Sequence, residues 1–167
     1  MIINNNELDS SLLQILADLK QRGFAHYNEL FSILYETGIR ANELQYIADW
    51  TLINETDVLV YTSKNSNDRI VNINLFSQVV QDSIILSNVL FYLPCYEAIV
   101  QTFHKVAKFR YSVKNKNITT HLFRHNYIKK LDAESHSLAY IKTQTGIKSD
   151  SVVSNYINSQ IIQHVKA

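Results

Sequence analysis

DVLVYTSKNSNDRIVNIN, residues 57–74, interrupts the pattern of the rest of the chain. Its two outer runs, DVLVYT (57–62) and RIVNIN (69–74), are rich in β-branched residues, and SKNSND between them is turn chemistry. The combination predicts a β-hairpin with Lys64 at the exit of its first strand. The long segments on either side carry helical spacing instead. One hairpin in helical surroundings makes the fold class α+β, mostly helical with a small antiparallel β-hairpin/sheet.

Upstream, Leu8, Leu12, Ile15, Leu16 and Leu19 recur at helical intervals, and Gly23 closes that helix. Tyr27, Leu30, Phe31 and Leu34 mark a second helix over 26–37, which Gly38 stops, and ANELQYIA (41–48) restarts the helical period. Downstream, FSQVVQDSIILSNVLF (76–91) reads as one helix, and Pro94 fits the first turn of another that runs to about residue 109. KNKNITT (114–120) is a polar connector in which Thr119 or Thr120 is placed to cap the next helix, the one bearing THLFRHNYIKKL (120–131). A helix over 137–145 ends at Gly146, and a short one over 150–157 leads into the tail NSQIIQHVKA.

A chain of 167 residues with few Gly and Pro suits a single domain, 1–167. Cys95 is the only cysteine, so no internal disulfide forms, and no Cys/His spacing resembles a zinc module. MIINNNELDSS lacks the basic and apolar regions of a signal peptide, and no apolar run is long enough to span a bilayer. A cytoplasmic chain without membrane contact is the expectation. The net charge of +1 conceals a segregated patch: no Asp or Glu lies between Glu97 and Asp132, while Lys105, Lys108, Arg110, Lys114, Lys116, Arg124, Lys129 and Lys130 all do. They are 8 of the 16 basic side chains, and such a patch suits a polyanion, because phosphate contacts depend on local potential.

Within THLFRHNYIKKL, His121 and His125 are spaced to share a metal ion on one helix face. The hydrolytic form of that spacing requires Glu after the first His, where Leu122 stands, and Arg124 would repel a divalent cation. His121 and Arg124, three apart, instead suit one anion, Arg offering a fork that matches two phosphate oxygens. An HxxR pair means little without partners. LYETGIRANEL (34–44) supplies Arg40 and Glu43 after the Gly38 break, the hairpin supplies Lys64, and TGIKSDSVVSNYIN (145–158) places Tyr156 ten residues after Gly146.

In these elements the chain resembles the tyrosine site-specific recombinases, the phage integrase family. Their catalytic domains carry, in order, a TG(L/I)R-x-x-E segment, a hairpin lysine, an HxxRH segment, a Gly-His/Trp segment and a nucleophilic tyrosine. The resemblance spans about residues 16–158. It implies that Tyr156 attacks a DNA phosphate to give a 3′-phosphotyrosyl link, that Arg40 and Arg124 clamp the non-bridging oxygens, that Lys64 protonates the leaving 5′-oxygen, and that His121 takes the tyrosine's proton or hydrogen-bonds the phosphate. Glu43, His125 and Lys148 are implied as supporting groups, with no cofactor and no metal. Lys105, Lys108, Arg110, Lys114, Lys116, Lys129 and Lys130 are the candidates for the DNA backbone.

One position departs from the pattern: Ile147 stands where the family has His or Trp, and an aliphatic side chain donates no hydrogen bond. This motivates an alternative, a catalytically weakened relative that binds or organises DNA. A helical metal hydrolase is a more distant one. The family's N-terminal clamp domain has no counterpart in the few residues before the body. Implied partners are therefore double-stranded DNA, further copies of the chain on DNA through the tail at 159–167, and a separate DNA-binding domain or accessory protein. Such a chain would act at the nucleoid.

Overall fold

The computed structural model describes residues 2–3, 5–60, 68–85, 93–107, 119–159 and 161–162. Helices α1 (Asn5–Gln21) and α2 (Ala25–Thr37) come first, followed by a 3-10 helix over Ala41–Asp49. Strands β2 (Thr51–Leu52), β3 (Asp57–Val60) and β4 (Arg69–Asn72) follow, then α3 (Gln78–Ile85), α4 (Tyr96–Ala107), α5 (Leu122–Ala133), α6 (Leu138–Thr145) and α7 (Asp150–Asn158). Two-residue strands β1 (Ile2–Ile3) and β5 (Ile161–Ile162) pair antiparallel near the two ends of the chain.

The sheet is the expected hairpin plus one strand. β3 and β4 pair antiparallel with Val58 opposite Val71 and Leu59 opposite Ile70, and β2 adds to the outer edge of β3. β2 was not foreseen, because TL is too short to show a period and both residues are exposed. Residues 61–67, with Lys64, lie outside the described residues. Along β4, Arg69 and Val71 face inward while Ile70 and Asn72 face out, so the two-residue alternation sends one arginine into the interior.

Helix boundaries follow the punctuation. Gly38 and Gly146 both take left-handed conformations (φ 69° and 73°) as C-caps of α2 and α6, and Ser137 and Ser149 cap α6 and α7 by accepting from Tyr140 and Val152 backbone N–H groups. Three expectations change. ANELQYIA winds as a 3-10 helix, α4 begins two residues after Pro94, and Thr119 does not cap α5 but accepts from His121 N–H at 3.2 Å in the turn before it. The helix expected over 76–91 is seen over Gln78–Ile85, with 86–92 outside the described residues.

Two apolar clusters make the core. The larger joins Leu8, Leu12, Ile15 and Leu19 of α1 to Leu30, Phe31 and Leu34 of α2, to Val58, Val60 and Val71 of the sheet, and to Phe103 of α4. Phe31 stacks on Phe123 with centroids 5.7 Å apart, and Phe103 meets both rings edge-on. The smaller cluster holds Ile128, Leu131, Ile141, Ile147 and Val153, flanked by Tyr127, Tyr140 and Tyr156.

α5 belongs to both clusters, through Leu122 and Phe123 at one end and Ile128 and Leu131 at the other. It is therefore a central helix and no solvated basic face. One of its buried polar residues is paired across the fold, Asn126 Nδ2 donating to Asp9 Oδ1 at 2.9 Å.

Candidate active site

Four segments far apart in sequence meet at the N-terminal half of α5. Arg124 is fully buried, and its two terminal nitrogens donate to the Gly38 carbonyl at 2.8 Å and the Thr145 carbonyl at 3.2 Å. Both acceptors lie at helix C-caps, where carbonyls lack intrahelical partners and carry the negative end of the dipole. One guanidinium thus ties α2 and α6 to α5. Among the described residues its Nε has no hydrogen-bond partner, which leaves donor capacity there.

Arg40 follows the Gly38 turn at the start of the 3-10 helix. Its backbone N–H donates to Glu43 Oε2 at 3.0 Å, and its Nη1 meets Glu43 Oε1 at 3.5 Å. Glu43 is buried, at 1% exposure, while the Arg40 side chain stays part-open at 28%, so the carboxylate anchors the guanidinium and leaves it accessible. Burial and the neighbouring charge of Arg40 both lower the pKa of Arg124. The two guanidinium groups thus feel one another's charge at the site.

Tyr156, on α7, reaches the same place from the other side. Its hydroxyl hydrogen-bonds His121 Nε2, its ring lies 5.8 Å from Arg124 Cζ, and the His125 ring meets it edge-on with centroids 4.8 Å apart. His121 and His125 are both held down to about 4: burial dominates, aided at His121 by His125, Arg124 and Arg40, and at His125 by Lys129 and Arg124. At neutral pH the His121 ring is uncharged, and its nitrogen can accept the tyrosine's proton.

The structure thus brings together Arg40, Glu43, His121, Arg124, His125 and Tyr156 from the sequence reading. Lys148 is exposed in the turn before α7, and Lys105 is exposed on α4. Lys64, Lys108, Arg110, Lys114 and Lys116 lie outside the described residues. Lys129 and Lys130, expected on the DNA backbone, make contacts within the chain. Lys129 Nζ donates to the Ile157 and Ser159 carbonyls, and Lys130 Nζ donates to Tyr35 Oη at 3.1 Å and pairs with Asp9 at 3.5 Å. α5 has helices packed around it, so Lys129 is 9% exposed, while the Lys130 side chain stays 43% exposed. Ile147 is buried at 4% beside Val153, filling space beneath the helix that carries Tyr156.

Arg69 was missed. Its Nε donates to the Gln144 carbonyl at 2.8 Å, one residue from the Thr145 carbonyl that Arg124 holds, and burial lowers its pKa to about 10. The signal was present in the strand parity: Arg69, Val71 and Ile73 share one face. Among the described residues Arg69 Nη1 and Gln144 Oε1 have no hydrogen-bond partner, and both residues line a cavity of about 10 Å³, room for roughly one water.

The family model for the phage integrase family matches residues 6–161. No curated protein sequence matches the chain. Among solved structures, XerH site-specific recombinase bound to palindromic difH substrate in a post-cleavage complex aligns at TM-score 0.63 and 19% identity, over 92% of this chain and 48% of that one. XerH in a pre-cleavage complex with difH gives 0.63 and 19%, over 93% and 49%. XerA recombinase gives 0.65 and 18%, over 90% and 57%. The chain spans about half the length of these proteins, and the likeness establishes a shared fold. Taken with the family match over residues 6–161, it shows that the chain belongs to the phage integrase family, the tyrosine recombinases.

Proposed function

We propose that this chain breaks and rejoins DNA strands in site-specific recombination or integration through a 3′-phosphotyrosyl intermediate. The observation that carries the reading is the hydrogen bond between the Tyr156 hydroxyl and His121 Nε2, made beside the buried guanidinium of Arg124. Tyr156 Oη attacks the scissile phosphorus as its proton passes to His121. The pentacoordinate phosphorane gathers charge on its non-bridging oxygens, which Arg40 and the remaining Arg124 hydrogens neutralise. The bond to the 5′-oxygen breaks, and Lys64 protonates the leaving group. A 5′-hydroxyl from a second DNA end then reverses the sequence, and because the phosphotyrosyl bond conserves the phosphodiester energy no cofactor is consumed.

Ile147 bears on competence. The family's His or Trp there supplies a hydrogen bond or packing, and the burial of Ile147 against Val153 supports the packing role alone. Phosphate binding then rests on the two arginines. Double-stranded DNA is the partner, with Lys105, Lys108, Arg110, Lys114 and Lys116 as backbone contacts, and copies of the chain assemble on it.

The test is a pool of nicked duplexes randomised around the nick, which lose the released fragment and so trap a covalent adduct. Wild type is expected to give adduct and Tyr156→Phe none. Equal adduct from both would remove Tyr156 as nucleophile, and DNA binding without adduct from wild type would favour the weakened binding module.

A further inference from the structure

We propose that Lys129 positions Tyr156, acting through the C-terminus of α7, and is not a DNA contact; this rests on reading Tyr156 as the nucleophile. α7 has nine residues, too few for a helix to hold its shape without packing. Its last carbonyls have no intrahelical partner and carry the negative end of the helix dipole. Lys129 Nζ sits there, donating to the Ile157 carbonyl at 3.1 Å and the Ser159 carbonyl at 2.6 Å, and the residue is 9% exposed. Two of the ammonium's three hydrogens are committed.

A second tie lies one turn back along α5. Ser159 Oγ donates its single hydrogen to the Tyr156 carbonyl at 2.7 Å, so in its 3.1 Å contact with His125 Nδ1 the imidazole is the donor. That assigns His125 the Nδ1–H tautomer. His121, His125 and Lys129, spaced four apart on one face of α5, therefore meet α7 in sequence: the Tyr156 hydroxyl, the Tyr156 ring with Ser159, and the helix end. The C-terminal part of the nucleophile's helix is thus fastened to the helix carrying Arg124 at three successive points. A loosened C-terminus would let Tyr156 drift from the phosphate, where a misplacement of about 1 Å costs on the order of 100-fold in rate.

The test compares wild type, Lys129→Met and Lys129→Arg as full chains, with Ser159→Ala as a variant that leaves the core intact. Three readouts are needed: adduct rate on the nicked pool, affinity for a random-sequence duplex across salt concentrations, and hydrogen exchange of residues 153–159 without DNA. Lys129→Met should slow adduct formation about tenfold or more, speed exchange in 153–159, and leave duplex affinity and its salt slope unchanged. Lys129→Arg should recover most of the rate, and Ser159→Ala should shift exchange and rate in the same direction as Lys129→Met. A salt slope shallower by about 0.9 with unchanged exchange would make Lys129 a phosphate contact and overturn the proposal. Faster exchange in Lys129→Met with no adduct from wild type would keep the anchor and overturn the nucleophile reading beneath it.

Discussion

Gly38 shows how one residue serves both fold and site. Its φ of 69° is left-handed, and a Cβ added there would overlap the Tyr127 ring at Cδ1. Gly38→Ala is expected to cost about 1–2 kcal/mol for the backbone and a further 1–3 kcal/mol for the overlap. Urea denaturation of Gly38→Ala alone and in a Tyr127→Ala background separates the two: the second cost should vanish in the double variant. Arg124 is similarly constrained. Arg124 reaches the Gly38 and Thr145 carbonyls with two separate nitrogens of a planar fork that lysine lacks, so Arg124→Lys should lower stability by about 2–4 kcal/mol in the same assay and abolish adduct formation. HxxR marked Arg124 as a candidate for phosphate. That it also splices two helix ends was not, because its acceptors are backbone carbonyls 86 and 21 residues away.

At the scale of elements, the sheet reaches the site through Arg69. The side chain leaves β4 and grips the C-terminus of α6, so the strand after residues 61–67 is joined to the turn that precedes α7. Arg69→Met keeps much of the stem and removes the donor, leaving the Gln144 carbonyl unpaired. The expected loss is about 1–3 kcal/mol by thermal or urea unfolding, with faster amide exchange in β3 and β4. Exchange unchanged in the sheet would show that apolar packing alone holds it. Helices α1, α2, α6 and α7 were readable from period, glycine stops and serine caps. β2 and the β1–β5 pair were not, since two-residue strands carry no periodicity and exist only because a partner strand lies alongside.

For the molecule as a whole, the sharpest consequence of burying the site is its response to acid. His121 and His125 titrate near 4 in the folded chain and near their ordinary 6.5 when unfolded. Between those values the unfolded chain binds more protons, so stability is full above about pH 6.5 and falls as pH drops toward 4. With solvent screening of the part-open rings allowed for, the loss is on the order of 3 kcal/mol for the pair. Urea midpoints at pH 7, 6, 5 and 4 should decline over that window, and His121→Asn with His125→Asn should flatten the decline. Midpoints flat to pH 5 would mean that the rings are protonated in the fold at ordinary cost.

What the sequence by itself determined was local: helical periods, glycine stops, the β-branched hairpin, and the order of Arg40, Lys64, His121, Arg124 and Tyr156, on which the resemblance to the tyrosine recombinases rests. What only the tertiary structure decided was which charges are spent inside the molecule. Lys129 and Lys130 read as a basic face because charge is visible in one dimension and burial is not. With α1, α2, α6 and α7 packed around α5, their ammonium groups hold a helix end and a Tyr35–Asp9 pair, and Arg69 crosses to α6. Desolvation makes such partners obligatory for the buried Lys129 and Arg69, and no pattern in the chain names a partner that lies tens of residues away.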